Sequence, residues 1–132
     1  MYTNYTVNVK TYAEKHFISK FQKKYKGAWN VTWNGICEEF KRIDSVIKET
    51  KIAETITDQE GIRICKTEFR IHGTKESRHA SGNRCIIAVH KNTCIVHVLV
   101  VYHKNELGDG NETARWKNLV KENYPEYSKF YN

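Results

Sequence analysis

Between about Ile62 and His72 the side chains sort by parity. Arg63, Cys65, Thr67, Phe69 and Ile71 fall on one side and Lys66, Glu68 and Arg70 on the other, the two-residue period of a half-buried strand. Two β-branched runs follow, Arg84 to His90 and Cys94 to His103, joined by Lys91-Asn92-Thr93 in a length suited to a hairpin. A further alternation from Tyr2 to Lys10 predicts a short edge strand. Thr11 and Glu14 form a capping box ahead of Phe17, Ile18, Phe21 and Tyr25, which predicts a helix ending at Gly27. Thr32 is the expected N-cap of a second helix running to about Thr50, with Trp33, Ile36, Phe40, Ile43 and Ile47 as its packing stripe. Trp29 and Trp33 read as packing anchors. Lys51 to Glu60 is weakly patterned, either a last helical turn or a loop ending at Gly61. Asp109 with Glu112 is a second capping signature, opening a helix through Arg115, Trp116, Leu119 and Val120 that stops before Pro125. The tail carries Tyr127, Phe130 and Tyr131, which dock on the core or on a partner.

The expected architecture is α+β: a small antiparallel sheet of about four strands, two N-terminal helices on one face and a C-terminal helix. Residues 1–132 have the length of a single domain. The register places Cys65, Phe69, Ile87 and Val89 beneath the helices and Lys66, Arg70 and Arg84 in one cleft on a solvated, basic face.

Charge sharpens this picture. Eight basic and two acidic residues lie between Arg63 and Lys104, so nearly all of the net charge of +7 belongs to the sheet and its loops. A clustered excess of this kind is the footprint of a polyanion, with nucleic acid the commonest. The lysines of the first helix (Lys15, Lys20, Lys23, Lys24, Lys26) fit a solvated face better than an RNA contact. No apolar run reaches the roughly 18 residues of a membrane span and the N-terminus lacks a hydrophobic signal segment, so the expectation is a cytoplasmic protein without a membrane partner. Cys37, Cys65, Cys85 and Cys94 each lie in an apolar run, as reduced thiols do. The histidines and cysteines show no metal-ligand spacing. His97 and His103 are expected on one face of their strand, about 20 Å apart and too far to share an ion. No metal or cofactor is expected.

The loop from Gly73 to Asn83 is long for a hairpin and carries Lys75, Arg78 and His79 among small residues, with Arg84 opening the next strand. It offers guanidinium groups and backbone N–H donors to a phosphate.

The run KTEFRI, the loop SRHASGNR, the strand RCIIAVHK and the ending VVYHKNE resemble the RelE/HigB branch of the RelE/ParE superfamily of bacterial toxins, over about Ile62 to Glu106. The resemblance implies a RelE-like fold and a toxin of a toxin-antitoxin system. It implies an endoribonuclease (mRNA interferase) that cuts mRNA, often on the ribosome, and a cognate antitoxin protein that covers the basic cleft. Lys66 matches the family's first basic strand position, Arg84 the arginine opening the next strand, and His103 and Lys104 the basic end of the last. Glu68 stands where the family is often basic, Asn83 replaces an aromatic residue or glycine, and no tyrosine follows Lys104.

Metal-independent RNA cleavage needs a base for the ribose 2′-hydroxyl, a cation for the phosphate and an acid for the departing oxygen. The expected catalytic set is Lys66, Glu68, Arg84, His103 and Lys104, with His103 the acid or base, Glu68 an alternative base, and Arg84 and Lys66 holding the phosphate charge. Arg70, Lys75, Arg78 and His79 are expected to bind flanking RNA. Two other classes stay open: a ParE-like inhibitor of DNA gyrase, and a non-catalytic RNA-binding module.

Overall fold

The computed structural model describes residues 4–108 and 110–131. In chain order the elements are β1 (Thr6–Val9), a helical run made of α1 (Thr11–Ala13), a π-helical segment (Glu14–Ile18) and α2 (Ser19–Tyr25), then α3 (Gly27–Lys41) and α4 (Ile43–Glu49). After these come β2 (Ala53–Gln59), β3 (Ile62–Phe69), α5 (Arg78–Ser81), β4 (Asn83–His90), β5 (Ile95–His103), α6 (Glu112–Asn123) and a closing 3-10 helix (Pro125–Tyr131). The fold is α+β.

Five strands form one sheet in the order β1-β5-β4-β3-β2, where about four were expected. The extra strand is β2, from the stretch read as helix end or loop. Its burial is slight, only Ala53 being buried, and a register shift between Thr55 and Thr57 breaks its alternation, so no period marks it in the sequence. Glu60 (φ 55°) and Gly61 (φ 77°) both take left-handed backbone between the paired residues Gln59 and Ile62, the geometry of a two-residue type I′ hairpin. The sheet is mixed, not wholly antiparallel: β1 lies parallel to β5, Thr6 opposite Ile95 and Val9 opposite Val98.

The first helix ends at Tyr25, two residues before the expected Gly27. Lys26 turns the chain with φ 49° and ψ −121°, and Gly27 already belongs to α3. Thr32 therefore lies inside α3, where its hydroxyl donates to Ala28 O (2.8 Å) and accepts from His72 N (2.8 Å), tying the helix to the β3–β4 connection. Trp29, Ile36, Phe40, Ile43 and Val46 join Cys65, Phe69, Cys85, Ile87, Val89, Val96 and Val98 in a core under the N-terminal helices, as the register predicts.

The opposite face is covered too, which corrects the expectation of an open basic face. Ile64, Ile86, Ala88, Leu99, Val100 and Tyr102 pack against Trp116, Val120, Tyr124 and Tyr127 of α6 and the 3-10 helix. At roughly 1.5–3 kcal/mol per large side chain removed from water, such a layer adds substantially to stability. The tail docks on the core: Tyr127 OH lies 2.7 Å from His90 Nε2, and Tyr124 OH donates to Leu99 O (2.7 Å). Asn111 caps α6, its Oδ1 accepting from Ala114 N (3.2 Å); Asp109, the expected capping residue, lies outside the described residues. Among the described residues no helix is long and apolar enough to cross a membrane.

Candidate functional site

Parity within β3, β4 and β5 decides which candidate side chains meet. Glu68 pairs with Arg84 and Arg84 with Tyr102, so these three share the face covered by α6, as does Lys66 opposite Ile86. Asn83 pairs with Phe69 and with His103, which puts His103 on the other face, under the N-terminal helices. The cause is a bulge. Ile86 pairs with Val100 but Ile87 with Val98, so Leu99 is an extra residue in β5 and inverts the sides of everything beyond it. His97 and His103, expected on one face, thus lie on opposite faces, and His103 is separated from Arg84.

Arg84 is the pivot of the site. Its side chain is only 5% exposed, with Nη1 3.2 Å from Glu68 Oε2 and 3.1 Å from Asn83 O, while Nη2 donates to His79 O at 3.2 Å. A buried guanidinium is tolerated only when its donors and charge are met, and here they hold both the Glu68 carboxylate and the backbone of α5. That short helix forms because Ser77 caps it, accepting from Ala80 N (3.1 Å), and ends because Gly82 takes φ 77°. A Cβ on Gly82 would come within 2.7 Å of His103 Nε2, so the close approach of β5 also requires glycine there.

The helix delivers His79 to Glu68. His79 Nδ1 lies 2.7 Å from the same Oε2 that meets Arg84, while the ring as a whole is 84% exposed. A carboxylate only accepts, so Nδ1 carries a proton, and Nε2 lies on the far side of the ring from Glu68. Lys66 stands two residues before Glu68 on the same face, its Nζ 3.9 Å from Glu54 Oε2. Tyr102 closes the far wall by donating to Glu112 Oε2 (2.7 Å), and burial followed by that carboxylate raises its pKa strongly. Three catalytic candidates, Lys66, Glu68 and Arg84, therefore gather, joined by His79, which the sequence assigned to RNA binding.

The remaining candidates separate from this group. His103 accepts from Asn105 N (3.1 Å) at Nδ1 and, with Lys20, Lys24, Tyr25 and Asn83, lines a small cleft where the buried Asn83 Oδ1 has no hydrogen-bond partner among the described residues. Lys104 sits in the turn after β5, exposed, its backbone N–H donating to Gly82 O (2.8 Å). Arg78 donates from Nη1 to both oxygens of Glu39 (3.0 Å each). Arg70 and Lys75 are exposed and make no ion pair among the described residues. Asp58 meets both Arg63 (3.1 Å) and Lys91 (2.7 Å), so part of the charge excess is neutralised locally.

No family, curated protein or solved structure matches this chain.

Proposed function

We propose that this protein is an endoribonuclease that cleaves RNA by attack of the ribose 2′-hydroxyl on the adjacent phosphate, acting as an mRNA-cutting toxin. The observation that carries the reading is the Glu68–His79 pair seated on buried Arg84, where the end of β3 meets the start of β4. Glu68 fixes the imidazole tautomer, and Nε2 takes the 2′-hydroxyl proton. The 2′-oxygen then bonds to phosphorus as the P–O5′ bond breaks, and the departing O5′ takes a proton from water. The products are a 2′,3′-cyclic phosphate and a 5′-hydroxyl; His79 returns its proton to solvent. Lys66 supplies positive charge to the phosphate, while Arg84 acts through Glu68 and His79 as a positioning residue. Arg70, Lys75 and Lys104 contribute long-range attraction to the strand. In this reading mRNA on or off the ribosome is the target, the cytoplasm the place of action, and an antitoxin protein the natural partner.

The test is cleavage of a 5′-labelled mRNA with and without ribosomes, with the new ends identified. Cyclic-phosphate ends support the proposal. Growth arrest on expression without any RNA cleavage would turn the reading toward the gyrase-directed alternative.

A further inference from the structure

A second feature lies on the side of the sheet under α3, joined to the proton-transfer pair through α5. A cleft of ≈ 170 Å³ opens between α3 and the β3–β4 connection, with Phe69 at its base and Val31, Gly35, Glu39, Arg70 and Arg78 around it. Val31 is 51% exposed, the one large apolar side chain so exposed among the described residues. Its position on the cleft gives that exposure a use. A cleft of this volume is of the size of a single nucleobase and too small for a base pair.

We infer that this cleft seats one unpaired base of the RNA strand, next to the nucleotide whose phosphate is cut; the inference rests on the ribonuclease reading. Apolar contact for the ring comes from exposed Val31, with the nearly buried Phe69 behind it. Arg78 is neutralised by Glu39, so Arg70, without an ion pair among the described residues, is the cation that takes the adjoining phosphate. Each Glu39 oxygen keeps a lone pair beyond the bond from Arg78, able to accept from an amino group on a base edge. Proximity links the two sites: Arg78 and His79 are consecutive in α5, one turned to the cleft and the other to Glu68. Gly35 keeps the entrance clear, since a Cβ built there meets nothing within 4 Å.

Gly35 lines the cleft and a Cβ there meets no atom within 4 Å, so Gly35→Leu, which adds bulk at the cleft wall without a clash at Cβ, is the decisive variant. Adenosine 5′-monophosphate and uridine 5′-monophosphate, titrated into the full chain, should shift the backbone amide resonances of Val31 and Gly35, on the apolar side of the cleft, whereas inorganic phosphate alone should not. Gly35→Leu should weaken nucleotide binding at least tenfold and raise KM for single-stranded RNA by a similar factor, with kcat within about twofold. Equal shifts from phosphate alone, or unchanged binding and KM in Gly35→Leu, would overturn the inference while leaving the cleavage reading intact. Nucleotide binding blocked by Gly35→Leu in a chain that cuts no RNA would keep the base site and discard the ribonuclease.

Discussion

His79 Nδ1 and Glu68 Oε2 meet at 2.7 Å although eleven residues separate them, and the contact exists because Arg84 grips both partners. The arginine binds the carboxylate by charge and the histidine by its backbone carbonyl. An exposed ring thereby acquires a fixed orientation, which a free surface histidine lacks.

Exchange of the two histidines on opposite faces distinguishes their roles. His79→Gln should lower the cleavage rate by about a hundredfold or more, the usual worth of a positioned proton carrier, and leave stability within about 0.5 kcal/mol because the ring is solvated. His103→Gln should leave the rate nearly unchanged. Initial rates on a fluorogenic RNA check both; a larger loss from the His103 variant moves the proton carrier to the other face.

Arg84→Met should destabilise the fold by about 3–5 kcal/mol, since it leaves the half-buried Glu68 carboxylate without its buried cation and takes a donor from the carbonyls of His79 and Asn83. Urea unfolding at neutral pH measures this. A variant as stable as the parent but inactive would instead make Arg84 a direct phosphate ligand.

Acid should weaken the fold through His90 and His97, whose rings lie 4.6 Å apart between centroids. Burial, then His90 and Lys10, depresses His97 from 6.5 to about 4; burial and Lys10 depress His90, against an opposing pull from Glu126. The unfolded chain therefore takes up protons first as pH falls, so stability is full above about 6.5 and declines toward about 4. His97→Gln should flatten the urea midpoint across that window. An equally steep decline in the variant would assign the acid sensitivity elsewhere.

Lys26 holds φ 49° and ψ −121° at an exposed turn, a conformation that costs an L side chain on the order of 1–2 kcal/mol. Lys26→Gly should raise stability by about 1 kcal/mol, read as an increase in Tm. An unchanged or lower Tm would show that the lysine side chain compensates for its backbone.

The central strands were legible because β-branched runs and parity survive in any context. The cover on the second face was also written in β4, where Cys85, Ile87 and Val89 on one side and Ile86 and Ala88 on the other are all apolar, as in strands buried on both sides. The alternation in β3 masked it, because Lys66 and Glu68 lie at the end of the strand beyond the apolar layer that contains Ile64. The site was legible in part. Lys66, Glu68 and Arg84 follow from strand register, but Leu99 adds a residue that no pattern announces, and that insertion alone carries His103 away. The His79–Glu68 contact depends on how a loop folds back, and side-chain spacing holds no signal for it.

The parallel pairing of β1 with β5 has a kinetic consequence. Asn8 and His97, joined across that seam at 2.9 Å, stand 89 positions apart, so one edge of β5 remains bare until the start of the chain returns to it. Closing so long a loop is entropically expensive and belongs late in folding. During synthesis β1 leaves the ribosome long before its neighbour exists and must wait unpaired while α1 through β4 emerge. The last strand to appear is the one that both β1 and β4 flank, so the nascent sheet completes itself from the inside.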